Sequence, residues 1–190
     1  MIDNLYFKFS KHPNIGIACL YADYKDHTNQ TLVHILGSFL RQFLTMVPET
    51  IPDEVIQKLD DIRHVGRKVE AEDTLALLKV RLHQLKLAFI CIDAVDELEP
   101  KVRQQLLNAL KELGTNNKIR LFLTGRGHIE SEVQKRFKVA QRYNIGANQQ
   151  DIREFLRQQI QEDHNLNPEA MDELLAKDIE DAIIEKSKGM

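Results

Sequence analysis

Only two cysteines occur in the 190 residues, Cys19 and Cys91, each inside an apolar run. That usage excludes a disulfide scaffold and suits reduced, buried thiols in a reducing compartment. No stretch gathers the lysines and arginines needed to grip a polyanionic backbone, and the net charge is -3 with a sequence pI near 6.2. Nucleic acid is therefore excluded as a default partner. No apolar run reaches membrane-spanning length, and the opening MIDNLYFKFSK lacks the basic start and apolar core of a secretory signal. A cytoplasmic protein without membrane contact is expected. The seven histidines are scattered with no pair at helix-face ligand spacing, and no serine sits in a nucleophile elbow, which leaves histidine-based metal catalysis and acyl transfer without support. None of the eight glycines precedes a lysine, so no G-x-x-x-x-G-K-[ST] phosphate loop is present. What the chain does have is 43% hydrophobic and 29% charged residues, enough to bury one sizeable core and start a second.

Strand and helix patterns alternate along most of the chain. Residues Asn14 to Asp23 form an apolar run of strand length. From Gln30 to Val47, Leu32, Ile35, Leu36, Phe39, Leu40, Phe43 and Leu44 recur at helical spacing, with Thr28 or Asn29 as N-cap and Pro48 as the stop. Helical patterning follows over Ile51 to Ile62 and Ala71 to Leu85, with Gly66 between the two. The continuous run Leu87 to Ile92 suits a strand covered on both faces, as in a parallel sheet, and ends at Asp93. A helix is expected from Pro100 to Leu113, closed by Gly114, then a short strand Ile119 to Leu123 and the polar loop Thr124 to Gly127. A weaker helix covers Ile129 to Phe137, and Val139 to Ile145 reads as a last strand. Beyond Asn148 the pattern is helical only, over Asp151 to Asp163 and Pro168 to Lys186. The composition shift near Gly146 to Gln150 divides an α/β unit, residues 1–147, from the start of a helical subdomain, residues 148–190.

Chemistry concentrates at two strand ends. In LAFICIDAVDEL, Asp93 directly follows a buried strand and Asp96 and Glu97 lie on the next turn. Ligands of an open parallel sheet sit outside the carboxyl ends of its strands. A carboxylate there can hold Mg²⁺ through water, while acids one turn on can orient a water toward a terminal phosphate. The plainer alternative is a turn of solvated acids meeting a helix N-terminus. In LFLTGRG, Thr124 and Arg126 supply a hydroxyl and a guanidinium, groups that sense or neutralise a γ-phosphate. Its plainer alternative is an exposed arginine paired with a neighbouring acid.

The order of segments resembles the NACHT domains of signal-transducing P-loop ATPases, in particular the nephrocystin-3-like N-terminal NTPase domain of fungal NLR-like proteins. The resemblance rests on IDNLYFKFSKHPNIGIACLYADYKD, TLVHILGSFLRQFL, the Walker B-like FICIDAVDEL, the sensor-like LFLTGRGHI, and DIREFLRQQI leading to IEKSKGM. It implies a P-loop NTPase-like parallel sheet flanked by helices, missing its first strand and followed by a helical subdomain. It further implies Mg²⁺ at Asp93, water-orienting acids at Asp96 and Glu97, a γ-phosphate sensor at Thr124 and Arg126, and ATP or GTP as ligand of the intact parent domain. The sequence departs from the family's usual T-S-R-P, since Gly125 and Gly127 stand where serine and proline are usual; more backbone freedom is expected there. In this fold class the phosphate-loop strand lies between the sensor strand and the last strand. Without it, two edges are left unpaired, and the chain is expected to be poorly stable, self-associating or rearranged.

Three functional classes follow. A nucleotide-dependent regulatory switch would use this chain as its Mg²⁺ and sensor half, without hydrolysis by the chain alone. A nucleotide-free interaction module derived from a NACHT domain would work through other protein domains or self-association. A receiver-like phosphoacceptor needs a lysine at the end of the following strand, where Tyr143-Asn144-Ile145-Gly146 offers none.

Overall fold

Alternating strands and helices place three parallel strands side by side in the computed structural model, which describes residues 2–9, 11–26, 28–45, 51–116, 118–146, 149–166 and 172–187. The expectations placed on Pro48, Asn148, Pro168 and the closing Lys188 to Met190 lie outside these residues. Two compact units are present, residues 1–140 and residues 141–190.

The first unit opens with α1 (Ile2–Phe9) and β1 (Ile15–Tyr21), followed by α2 (Leu32–Thr45), α3 (Asp53–His64) and α4 (Ala71–Gln84). Next come β2 (Leu87–Asp93), α5 (Pro100–Leu113), β3 (Ile119–Leu123) and α6 (Glu130–Arg136). The sheet order is β1-β2-β3, with Tyr21 beside Asp93 and Ile92 beside Leu123. An α/β fold with a helix-flanked parallel sheet is thus what the sequence forms.

The period of two along each strand divides the side chains between two layers. Ala18, Ile90 and Leu121 share one face and join the core built with Ile35, Phe39, Leu78, Leu106 and Leu110 from α2, α4 and α5. Ile17, Cys91 and Phe122 belong to the opposite face, where Phe9 of α1 stacks on Phe89 at 5.4 Å and Phe89 on Phe122 at 6.3 Å. Burial pushes the Cys91 thiol up to about 11, with the neighbouring Cys19 adding to the effect. At neutral pH it is a protonated, apolar filler.

Local chemistry sets the element ends. The N-cap of α2 is Thr31, whose Oγ1 accepts from the His34 N–H at 3.4 Å, in place of the expected Thr28 or Asn29. Asn29 instead bonds Asp26 within the preceding turn at 2.7 Å. Gly66 adopts φ +68 after α3, a left-handed stop. The expected strand over Val139 to Ile145 does not form. Those residues hold neither helix nor strand, and Val139, Tyr143 and Ile145 are exposed. A strand exists only against a neighbour, and no fourth strand joins the sheet among the described residues.

The second unit contains α7 (Gln149–Leu166) and α8 (Glu173–Ser187). Asp172 caps α8 by accepting from the Leu175 N–H at 2.7 Å. Arg153 and Arg157 both reach Glu180, at 2.6 and 3.3 Å, and hold its carboxyl below the usual carboxylate range. Among the described residues no helix is long and apolar enough to cross a membrane.

Candidate functional site

The parallel arrangement brings the ends of β2 and β3 together at one carboxyl edge. β2 pairs on both sides, so its last residue is carried to the middle of that edge, and the Asp93 carbonyl still accepts from the Ala22 N–H at 3.0 Å. Across the other gap, Thr124 donates its N–H to the Ile92 carbonyl at 2.9 Å. The Thr124 hydroxyl donates to Asp93 Oδ1 and accepts from the Ala94 N–H at 2.8 Å. One side chain therefore ties the sensor strand to the acidic strand. It also holds Ala94 in the left-handed region, at φ 53 and ψ 45, a conformation that costs about 1 kcal/mol in a residue with a Cβ.

That left-handed residue redirects the acids that follow. A 3₁₀ turn over Val95–Glu97 begins immediately, with Val95 buried and its N–H donated to the Thr124 carbonyl at 2.9 Å. The Asp96 side chain is only 4% exposed and turns toward the sensor loop. Its Oδ1 accepts from the Arg126 N–H at 3.3 Å, and its Oδ2 lies 3.7 Å from Arg126 Nε. Glu97 is 3.9 Å from the other end of the same guanidinium. Asp93 is exposed, while the guanidinium of Arg126 lies folded back over two acids.

The two glycines of the loop differ in what they allow. A Cβ on Gly125 would sit 2.8 Å from Ile129 Cδ1 and 3.2 Å from Asp96 Oδ1, whereas one on Gly127 would meet nothing within 4 Å. Gly125 is therefore a close-packing residue that lets the loop lie against the acidic turn. The backbone freedom expected of it is not in use.

One contributor escaped the sequence reading. Arg103, in the first turn of α5, donates to the carbonyls of Asp96 at 3.3 Å and Leu98 at 3.1 Å, and its Nε donates to Glu132 of α6 at 3.0 Å. It pins the acidic turn between two helices. The signal was available: Arg103 stands three and four residues before the buried Leu106 and Leu107, so a charge falls on the apolar face of α5.

The donor set fits Mg²⁺ in one particular way. Among the described residues no three histidine, cysteine or carboxylate side chains converge on a metal position, which rules out an all-protein cage there. An exposed carboxylate at a strand end, with one oxygen fixed by a hydroxyl, matches the single protein ligand that Mg²⁺ takes when waters and phosphate oxygens complete its shell.

No curated protein and no solved structure matches the chain. A family model described as Nephrocystin 3, N-terminal, matches residues 1–126. The matched stretch runs through β1, β2 and β3 and ends at Arg126, so it takes in both strand ends that form the site. Covering well over half of the 190 residues, it shows that this chain belongs to the nephrocystin-3 N-terminal family, a NACHT-like region.

Proposed function

We propose that this chain is the Mg²⁺ and sensor half of a nucleotide-dependent signalling switch of the NACHT type, acting in the cytoplasm with ATP or GTP as the ligand of the intact domain. The supporting observation is the Thr124 bridge to Asp93, which couples the sensor strand to the acidic strand at the carboxyl edge of a parallel sheet. Asp93 would hold Mg²⁺ through water, and Thr124 keeps that carboxylate oriented. The ion, when bound, would neutralise phosphate charge. Arg126, resting over Asp96 and Glu97, would exchange those acids for the terminal phosphate, which frees the two acids to orient a water. Such an exchange gives a switch its two states.

Affinity in P-loop proteins depends heavily on backbone donors and a lysine around the β- and γ-phosphates. The chain alone offers three acids and one exposed arginine near the site, so it should neither bind nor hydrolyse nucleotide on its own. Titration calorimetry with Mg-ATP and Mg-GTP tests this on the chain and on a longer chain carrying an upstream strand and a Gly-Lys-Ser/Thr loop. The longer chain should bind in a Mg²⁺-dependent way, and Asp93→Ala in it should weaken binding or abolish turnover. Equal binding by both chains would place the phosphate site elsewhere. Binding by neither would favour a nucleotide-free interaction module working through other protein domains.

A further inference from the structure

A cation stands at the unfavourable end of α5. Arg103 lies in the first turn of Pro100–Leu113, a turn with no acidic residue and no side-chain cap. The positive end of a helix favours anions there and opposes a guanidinium. Its side chain is nevertheless only 11% exposed, and enclosing a charge costs stability unless its donors are met. They are met by the site itself. The carbonyls of Asp96 and Leu98, on either side of Glu97, accept at 3.3 and 3.1 Å, and Glu132 of α6 accepts at 3.0 Å.

These contacts divide between the two halves of the site. The carbonyls belong to the 3₁₀ turn Val95–Glu97 and the residue after it, so their capture fixes the backbone from which Asp96 and Glu97 project. Glu132 belongs to the helix that follows the sensor loop. The path from Arg126 to that helix has no slack. The 3₁₀ turn Gly127–Ile129 runs straight into α6, the Ile129 N–H donates to the Arg126 carbonyl at 3.3 Å, and the Ile129 side chain is buried. Glu132 is also held within α6, its Oε1 lying 3.8 Å from Arg136 Nη1, and Arg136 Nε donates to Asn108 of α5 at 2.8 Å.

We propose that Arg103 is the positioning residue of this site: it keeps Asp96 and Glu97 in place when Arg126 leaves them, and it is anchored for that task by Glu132 on the sensor loop's own helix. The role rests on the reading of Arg126 as a sensor that exchanges those acids for phosphate. The Arg126 guanidinium meets the two carboxylates only at 3.7 and 3.9 Å, and its side chain is 76% exposed, so it holds them weakly. Arg103 instead takes main-chain carbonyls from an enclosed position, where charge-assisted hydrogen bonds are stronger. Glu132 fixes the plane of that guanidinium, since Nε faces the carboxylate while Nη1 faces the carbonyls. The loop can therefore swing while the acidic turn stays.

Amide hydrogen exchange of the full chain, read by NMR without nucleotide, tests the role. The reporters are the Val95 and Glu97 N–H groups, donated to the carbonyls of Thr124 at 2.9 Å and Ala94 at 2.8 Å, and the reference is the Ala22 N–H on the other side of β2. Arg126→Ala, which imitates the departed sensor, should leave the reporters within about twofold of wild type. Arg103→Met should speed them by roughly tenfold relative to Ala22. Arg103→Lys keeps the charge, but one ammonium cannot serve both the carbonyls and Glu132, so it should fall between; it also reads the effect if the methionine variant does not fold. Glu132→Ala removes no contact of either reporter yet should reproduce the acceleration, whereas Glu132→Gln, still an acceptor, should not. In the Arg103→Met background Glu132→Ala should add nothing. Asn108→Ala, which frees Arg136 but not Arg103, should leave the turn protected. Reporters unchanged in both Arg103 variants, or accelerated no more than Ala22, would overturn the proposal. So would an acceleration by Arg126→Ala or Asn108→Ala as large as that of Arg103→Met, or a Glu132→Ala effect that adds to it. No nucleotide is present, so such a failure is separate from a failure of the longer chain to bind Mg-ATP or Mg-GTP.

Discussion

Glycine separates three kinds of position in this molecule, and substitution tells them apart. A Cβ on Gly16 would approach Leu85 Cδ1 at 2.6 Å and Phe43 Cδ1 at 2.7 Å, and both side chains are fully enclosed in the core. Neither can retreat. Gly16→Ala should therefore cost about 1–3 kcal/mol, the range for overpacking. At Gly125 the closest atom is the terminal methyl of Ile129, which can rotate, so Gly125→Ala should cost less, about 1 kcal/mol, while displacing Asp96 from the Arg126 N–H. Gly127→Ala meets open space and should change stability by no more than about 0.5 kcal/mol. Urea midpoints for the three variants give the order directly. If Gly125→Ala unfolds with Gly127→Ala, the sensor loop is not packed against the acidic turn. The same contrast explains what was legible at this scale. Asp93 and Thr124 each end an apolar run, and the sequence places them on one edge without knowledge of any contact. The inward turn of Asp96 was not legible, because it depends on one left-handed residue, Ala94, which carries none of the glycine or asparagine signals of that conformation.

Elements were readable where burial alone determines them. β2 is an unbroken apolar run buried through five consecutive positions, and α2 repeats its apolar residues at helical spacing, so period and hydrophobicity agree. Residues 139–145 show the opposite case. Their alternation satisfies a strand locally, but strand formation requires a hydrogen-bonded neighbour, which no local pattern reports. The carboxamide of Gln42 on α2, which accepts from the Cys19 N–H and donates to the Cys19 carbonyl of β1 at 2.9 Å each, was equally hidden, since a polar residue on an amphipathic helix reads as surface. Charge at the start of α4 offers a pH test. Arg67 forks onto Asp73 at 2.6 and 2.8 Å, and Asp73 also accepts from the Glu70 N–H at 3.0 Å. The Arg67 hydrogen bond, then the Glu70 backbone, hold the Asp73 carboxyl below the usual carboxylate range. A depressed acid contributes fully above its unfolded pKa, about 3.9 for aspartate, and the contribution fades as pH falls through the lower folded value. Asp73→Asn should therefore lower the melting temperature slightly at pH 7, and the gap to wild type should narrow steadily as the pH falls below about 4. Thermal melts across that range decide it. A gap that stays constant would mean the fork adds nothing through charge.

For the molecule as a whole, the buried cluster predicts where the chain can be cut without loss. All members of that cluster, from Ala18 to Ile129, and the half-buried residues packed on it, the last being Phe137, precede Lys138. Residues 138–146 contribute no helix or strand, and Lys138 and Arg142 are exposed. A protease needs an extended, accessible backbone of several residues, which this stretch provides and the helices and parallel strands do not. Limited trypsin digestion should therefore cleave first after Lys138 or Arg142, and mass spectrometry should find a fragment ending at one of them. That fragment retains the sheet, the Asp93–Thr124 bridge and the Arg103–Glu132 pair. It should melt cooperatively. First cleavage inside residues 51–137, or a fragment that melts without cooperativity, would mean the second unit is needed to hold the sheet together.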